Sequence, residues 1–462
     1  MPSTRGQYSI LSTYDNWNQT MLPRIFTSLI LAISCTTLSA AENTNIPARP
    51  TTASQIPDAF FKYIEREEPA YKWEIHDSFS YEGVTAYPVE LTSQTWQGMT
   101  WKHWLYIFEP EIVKINSKVL LFVTGGSNGG QPSEKRLKPA FLLAKTTGAR
   151  VALLTQVPNQ PLFNGKKEDD LITETWLRYL KTGDENWPLL FPMAKSAVKA
   201  MDAIQEIARE KRNVVIDGFV ITGASKRGWT SWLTPVVDKR IIATAPIVID
   251  TLNFRDQMKH QINTWGKYSE QIIDYTSKGL IVEGEESERE KNLRLMMDPY
   301  TYRQQLKLPK LLINGTNDPY WVVDAMRFYW SDLVGPKYIL QVPNAGHDLG
   351  EGVEYALQTL AAFFVHAATG KELPKLDWDN SIDFELKLTS SSKPNHVRLW
   401  TAQSENKDFR NSKWTSSEIS GNENVYLAKI SKPGKGHVAY YLEAIYTINN
   451  IPYSLCTITT SK

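Results

Sequence analysis

The residues with the clearest chemical potential lie in one segment, where an apolar, β-branched run is followed by glycine, serine and aromatic residues at helical spacing. This pattern predicts a strand, a sharp turn and a helix over residues 218–233. A serine on such a turn presents its hydroxyl at the end of the strand, so Ser225 is the candidate nucleophile. The usual G-x-S-x-G pattern has a second glycine where Arg227 stands here, and Gly228 follows it. An ordinary glycine-flanked turn is therefore the alternative interpretation.

A base and an acid that could serve this nucleophile follow later in the chain. His347 comes after an apolar strand and before an amphipathic helix at 353–366, and it is the candidate general base. An acid is needed to orient the imidazole and to stabilise its protonated form. Asp318, after another apolar strand, is the preferred acid, and the N-cap of a helix at 320–329 is its alternative role. Asp250, also just after a strand, is the second candidate.

Acyl transfer also requires backbone N–H groups that stabilise the negative oxygen of the intermediate. The amide of Lys226, directly after Ser225, is one candidate donor. Gly125, Gly126 and Ser127 are the others, in a glycine-rich loop after a continuous apolar strand. A plain glycine turn is the alternative. A phosphate-binding loop is disfavoured because no G-K-[ST] follows.

The strands that carry these residues alternate with helical segments, which predicts a mostly parallel, doubly wound α/β sheet. Antiparallel strands at 85–92 and 100–108 open it. Serine, aspartate and histidine occur in the chain order of α/β-hydrolases, so we expect an α/β-hydrolase domain over 71–372. Residues 251–308 are charged and helical, with many aromatic residues. They are predicted to form a helical cap over the site, or extra helices packed against the sheet.

The two ends of the chain have different patterns. Residues 376–462 contain short alternating strands separated by turns, which predict a small all-β sandwich that packs on the core or binds a protein partner. Residues 1–41 have the pattern of a leader with a signal peptide, which predicts export, and 42–70 form a linker. A lipid anchor at Cys35 is the alternative to a simple signal. Beyond the leader, no apolar run is long enough to span a bilayer.

Composition and motifs exclude several classes of function. A formal net charge of +1 over 462 residues gives no reason to expect a nucleic-acid partner. The sequence has no H-E-x-x-H motif or Cys/His cluster, so neither a metal site nor a cofactor is expected. The predicted reaction is hydrolysis of a small ester or amide, or of a peptide. Arg227 and Trp229 are candidate substrate contacts; the alternative for Lys226 and Arg227 is that they point to solvent or pair with an acid.

Several motifs together resemble the PhoPQ-activated pathogenicity-related protein family. They are TGASKRGWT (222–230), IVID (247–250), NGTNDPYW (314–321) and PNAGH (343–347). The resemblance runs from about Tyr71 into the C-terminal region and implies an exported α/β-hydrolase-like protein, linked in bacteria to virulence and to resistance to antimicrobial peptides, without a defined substrate. The serine turn is also similar to the G-x-S-R-x-G of glucuronoyl esterases. A non-catalytic binding or signalling protein on a hydrolase scaffold is the rival hypothesis.

Overall fold

The computed structural model describes residues 56–462. The predicted leader 1–41, with Cys35, and the first part of the linker 42–70 lie outside the described residues, so the leader and its cleavage or lipidation stay predictions. Within the described part, no helix is long and apolar enough to cross a membrane.

A ten-stranded mixed sheet forms the centre of the protein. Its strands are β1 (Lys72–Ile75), β2 (Phe79–Tyr81), β3 (Val84–Trp96), β4 (Met99–Pro110), β5 (Ile115–Val123), β6 (Ala149–Leu154), β7 (Gly218–Ala224), β8 (Ile241–Ile247), β9 (Lys310–Gly315) and β10 (Lys337–Val342). The spatial order is β1-β3-β4-β6-β5-β7-β8-β9-β10, with β2 paired to β3. Pairing is antiparallel from β1 to β6 and parallel from β6 to β10. The loops after β5, β7, β9 and β10 therefore leave the sheet at the same edge.

Helices cover both faces of this sheet. The α-helices of the described residues are α1 (Ala59–Glu65), α2 (Glu134–Thr147), α3 (Glu168–Thr182), α4 (Leu190–Arg212), α5 (Lys226–Val237), α6 (Phe254–Trp265), α7 (Ile273–Thr276), α8 (Glu288–Met297) and α9 (Val353–Ala368). Helices α2 and α9 pack together on one face, and α1, α4 and α5 form the group on the other. Every residue of β6 is buried, as expected of a central strand covered on both faces. The predicted doubly wound, mostly parallel α/β sheet is confirmed.

Two local elements differ from their predicted extents. The strands predicted at 85–92 and 100–108 are longer and form a hairpin, because Gln97 and Gly98 adopt positive φ angles of 50° and 75°. Such a two-residue turn matches the twist of the flanking strands and lets them pair along their length. No helix spans 320–329; this segment consists of turns and a short 3-10 helix, Ala325–Phe328.

The C-terminal region consists of antiparallel sheets, as predicted. Its strands are β11 (Leu376–Asp379), β12 (Glu385–Ser390), β13 (His396–Ser404), β14 (Thr415–Glu418), β15 (Gly421–Asn422), β16 (Val425–Lys429), β17 (His437–Ile448), β18 (Ile451–Cys456) and β19 (Thr460–Ser461). One sheet has the order β11-β12-β16-β15, and the other has β14-β13-β17-β18 with β19 on β17. Strand β18 packs on α9 and β10. The buried carboxylate of Glu443 accepts a hydrogen bond from Tyr355 of α9 at 2.6 Å, which ties these sheets to the α/β core.

Candidate active site

Ser225 lies on a strained turn between β7 and α5. Its φ of 57° and ψ of −123° are unusual for a residue with a side chain. Its backbone N–H donates to the carbonyl of Ile247 at 2.9 Å. A Cβ atom on Gly228 would come within 2.9 Å of the carbonyl oxygens of Gly223 and Ile247. The start of α5 therefore lies too close to the ends of β7 and β8 for a side chain at Gly228, which explains why a glycine is needed one position later than in the usual motif.

A continuous hydrogen-bonded chain links Ser225, His347 and Asp318. The Nε2 atom of His347 lies 2.9 Å from Ser225 Oγ, and its Nδ1 atom lies 2.8 Å from Asp318 Oδ2. The side chain of Asp318 is only 4% exposed, and its Oδ1 accepts a hydrogen bond from the N–H of Tyr320 at 2.9 Å. With Nδ1 donating to Asp318, Nε2 can accept the serine proton. This arrangement is suited to general-base activation of a serine hydroxyl.

The second candidate acid contacts a different group. Asp250 is buried and accepts a hydrogen bond from the hydroxyl of Tyr329 at 2.5 Å. Burial raises the pKa of its carboxyl to about 7, against the opposing effect of that hydrogen bond. The acid that contacts His347 is therefore Asp318, and Asp250 is held by Tyr329.

Arg227, a predicted substrate contact, instead forms hydrogen bonds with other residues of the protein. Its Nε donates to the carbonyl of Val157 at 2.5 Å, and its two terminal nitrogens donate to the carboxylate of Glu168 at 2.7 and 2.8 Å. Burial opposes ionisation of Glu168, but the hydrogen bonds and charge of Arg227, with the charge of Lys226, lower its pKa to about 2. The alternative of pairing with an acid is the one the structure shows.

Lys226 occupies the first position of α5, where backbone N–H groups have no partner within the helix. Its backbone N–H is therefore free to donate a hydrogen bond to the negative oxygen of an acyl-transfer intermediate, the role predicted for it. The side chain forms an ion pair, with Nζ 2.8 Å from Asp169 Oδ2. The other oxygen of Asp169 accepts a hydrogen bond from Tyr275 at 3.0 Å, which connects the serine turn to the segment 251–308. The lysine charge is neutralised inside the site.

The loop Gly125–Ser127, which holds the other predicted oxyanion donors, lies beside the guanidinium of Arg227. A Cβ on Gly125 would come within 2.4 Å of that guanidinium, so a larger residue there would displace the arginine side chain. The side-chain amides of Gln160 and Gln156 donate to the carbonyls of Gly126 and Ser127 at 3.2 and 3.0 Å. The loop is thus held through its carbonyl oxygens. Among the described residues, none accepts a hydrogen bond from the N–H groups of Gly125, Gly126 or Ser127.

A cavity of about 410 Å³ adjoins Ser225, and residues of the segment 251–308 form most of its wall. Trp229, the other predicted substrate contact, lines it and donates from Nε1 to the carbonyl of Met297 at 2.7 Å. Most of the remaining wall comes from α3 and from the predicted cap. In the part of the chain that is described, no group of His, Cys, Asp or Glu residues could hold a metal ion.

Some residues around the site were not singled out from the sequence. The ring of Tyr320 packs against the imidazole of His347, with ring centroids 4.1 Å apart. Glu168 and Asp169 neutralise the two cations that follow Ser225. The sequence does offer an indication of these two ion pairs, because three consecutive acidic residues at the start of α3 complement two consecutive basic residues at the start of α5. No sequence pattern distinguishes Tyr320 from other aromatic residues.

A protein-family model and a curated relative both match most of this chain. Residues 60–410 match the family described as PhoPQ-activated pathogenicity-related protein. The chain belongs to this family. A curated relative, autocrine proliferation repressor protein A of Dictyostelium discoideum, is 34% identical over an alignment of 423 residues, and the match covers 83% of this chain and 85% of the relative. The resemblance inferred from the motifs is thereby confirmed.

Solved structures similar to this chain include esterases of low sequence identity. An acetyl xylan esterase from Paenibacillus sp. R4 is 14% identical, with a TM-score of 0.47 over 66% of this chain and 92% of that chain. Acetyl xylan esterase 1 from Thermoanaerobacterium sp. is 19% identical, with a TM-score of 0.46 over 68% and 95% of the respective chains. An S-formylglutathione hydrolase from Agrobacterium tumefaciens is 12% identical, with a TM-score of 0.43 over 64% and 99%.

Proposed function

We propose that this member of the family is a serine hydrolase that transfers the acyl group of an ester or amide to water. Ser225 is the nucleophile, His347 the general base and acid, and Asp318 the group that orients the imidazole. The observation that carries the proposal is the hydrogen-bonded chain from Ser225 Oγ through both ring nitrogens to a carboxylate that is shielded from solvent.

In the first half of the reaction, the hydroxyl of Ser225 attacks the carbonyl carbon while Nε2 of His347 takes its proton. The negative oxygen forms near the start of α5, where the N–H of Lys226 is free, and the amides of the Gly125–Ser127 loop are its further candidate donors. Each such donor contributes about 3–4 kcal/mol to transition-state stabilisation. His347 then protonates the departing alcohol or amine, and water repeats the sequence on the acyl-enzyme.

Hydrolysis of p-nitrophenyl acetate tests the proposal directly. We expect the wild-type protein to release p-nitrophenol and Ser225→Ala to lose that activity. Ser93→Ala is the matched control, because Ser93 Oγ also lies 2.9 Å from a histidine nitrogen, that of buried His103. That pair has a backbone carbonyl, Thr155 O, in place of the acid. Activity that survives Ser225→Ala, or that requires Ser93, would overturn the assignment.

We also propose that the protein is exported, as the pattern of residues 1–41 predicts. Mass and N-terminal sequence of the protein recovered outside the cytoplasm test this proposal. A mature chain that begins at Glu42 supports signal removal, and one that begins at a lipidated Cys35 supports the anchored alternative. A full-length cytoplasmic protein would contradict export. The association with virulence that the family resemblance implies stays a prediction.

A second candidate function is signalling through a protein partner. It is favoured by the name of the 34% identical relative, a proliferation repressor. On this hypothesis the α/β fold serves as a scaffold, and the C-terminal antiparallel sheets are the predicted partner-binding region. A protein that leaves p-nitrophenyl esters intact, yet binds cells equally well as wild type and as Ser225→Ala, would favour this function over hydrolysis.

A further inference from the structure

The wall of the cavity beside Ser225 is mainly aromatic and aliphatic. The indole of Trp229 packs edge-on against Trp176 and Phe254, with ring centroids 5.9 and 5.4 Å away. Trp176 also packs edge-on against Tyr275 of the cap. Aliphatic side chains of Met258, Ile262, Ile272, Leu280, Ile281 and Val282 complete this surface. A group that fills the cavity therefore exchanges water for apolar contacts, which is favourable only when the group is itself apolar.

Charged residues that line the cavity are balanced, and most are paired with each other. The cations are Lys226, Arg255, Lys259 and Arg294, and the carboxylates are Asp169, Glu283, Glu286 and Glu290. Glu286 accepts from Arg294 at 2.7 Å through each oxygen and from Arg255 at 3.3 Å. Glu283 accepts from Tyr268 at 2.8 Å. The cavity thus has no net charge that would attract an acidic or basic ligand.

The cavity is better placed for the acyl part of a substrate than for the leaving group. During hydrolysis the acyl group stays bonded to Ser225 through both steps, whereas the alcohol must depart before water attacks. Residues of the predicted cap, between Phe254 and Arg294, form most of the cavity wall, so a group that enters the cavity is largely surrounded by protein. Such a position suits the part of the substrate that is retained.

We propose that this cavity is the acyl-binding site, and that the substrates are uncharged carboxylic esters with an apolar acyl group much larger than acetyl. This inference rests on the proposed hydrolase function and specifies its substrate class. Ser225 Oγ bonds to the acyl carbon as the bond to the alkoxy oxygen breaks, and the alcohol leaves with the proton from His347. Water then forms the new bond to carbon, and a carboxylic acid and free Ser225 are released.

A series of p-nitrophenyl esters, from acetate through butyrate and hexanoate to octanoate, tests the acyl-group preference at constant leaving group. Burial of each additional methylene is expected to raise kcat/KM about fourfold as far as hexanoate. A value of kcat/KM that is highest for acetate and falls steadily with chain length would overturn the proposal.

Two tryptophan substitutions, one that fills the cavity and one outside it, test where the acyl group binds. Val282 lines the cavity in a loop of the cap, and Glu285, three residues later, is exposed and does not line it. We expect Val282→Trp to abolish the preference for hexanoate over acetate, and Glu285→Trp to leave it unchanged. An unchanged preference in Val282→Trp would contradict the location of the site.

Labelling by a small fluorophosphonate separates failure of this inference from failure of the hydrolase proposal. Its small phosphonyl group reacts with an activated Ser225 whether or not the cavity binds long acyl groups. Wild-type protein and Val282→Trp that are both labelled, with no chain-length preference in either, would refute the acyl site alone. Wild-type protein that is not labelled would refute the underlying serine chemistry.

Discussion

Replacement of Asp318 by asparagine is the most informative perturbation of the site, because it preserves shape while it removes a charge. In the wild type, Oδ1 accepts from the N–H of Tyr320 at 2.9 Å, and Oδ2 faces Nδ1 of His347 at 2.8 Å. An asparagine must keep its oxygen toward Tyr320, because its NH₂ group cannot accept a hydrogen bond. The NH₂ group then faces Nδ1, which can no longer carry a proton.

The substitution therefore changes the protonation of the other ring nitrogen, Nε2 of His347. The proton of a neutral His347 moves to Nε2, 2.9 Å from Ser225 Oγ, so the imidazole donates to the serine instead of accepting its proton. The loss of a correctly oriented base in this way lowers kcat by about 10⁴, which corresponds to about 5.4 kcal/mol of transition-state stabilisation. KM is expected to change little, since Asp318 does not line the cavity.

Steady-state kinetics with p-nitrophenyl hexanoate, together with thermal unfolding of each variant, measure this effect. Asp250→Asn is the control, because Asp250 is an equally buried carboxyl that contacts Tyr329. It is expected to retain wild-type kcat. The reasoning is refuted if folded Asp318→Asn keeps kcat within tenfold of wild type, or if Asp250→Asn loses as much as Asp318→Asn does.

Three further predictions concern the framework of the site. Gly228→Ala forces a Cβ against two carbonyl oxygens and should lower the free energy of unfolding by about 1–3 kcal/mol, whereas Gly434→Ala, with open space around it, should be neutral by chemical denaturation. Arg227→Lys loses the two-bond pairing with Glu168 and should cost about 1–3 kcal/mol; an unchanged denaturation midpoint would contradict this. Burial raises the pKa of Asp250 to about 7, so the folded state binds its proton more tightly. Wild-type stability should therefore fall relative to Asp250→Asn, by at most about 4 kcal/mol, as pH rises from about 4 to about 7, and parallel stability profiles would refute this.

Much of the site could be predicted from the sequence because its residues follow strands of one parallel sheet. Apolar runs identify the strands, and parallel strands end at a common edge, so Ser225, Asp318 and His347 were expected to meet. The sequence near each residue could not decide between Asp318 and Asp250 as the acid of the site. Both follow a strand, and only the packing of Tyr329 on one and His347 on the other separates them.

The contacts of Arg227 show where sequence reasoning stops. Its position beside the nucleophile suggested a substrate contact, yet its partner Glu168 comes 59 residues earlier. No periodic pattern connects residues at that separation, and the pairing depends on how the segment before α3 returns to the sheet edge. The cavity could not be predicted either, since its wall combines residues of α3, α5 and the segment 251–308, which are far apart in the sequence.

The mass of the intact protein after treatment with a fluorophosphonate is the most direct test of the central claim, that His347 and Asp318 activate Ser225. We predict a single adduct on the wild type, no adduct on Ser225→Ala, and a strongly slowed reaction on His347→Ala. Wild-type protein that stays unmodified under conditions that label a control esterase, or an adduct that persists in Ser225→Ala, would contradict the account.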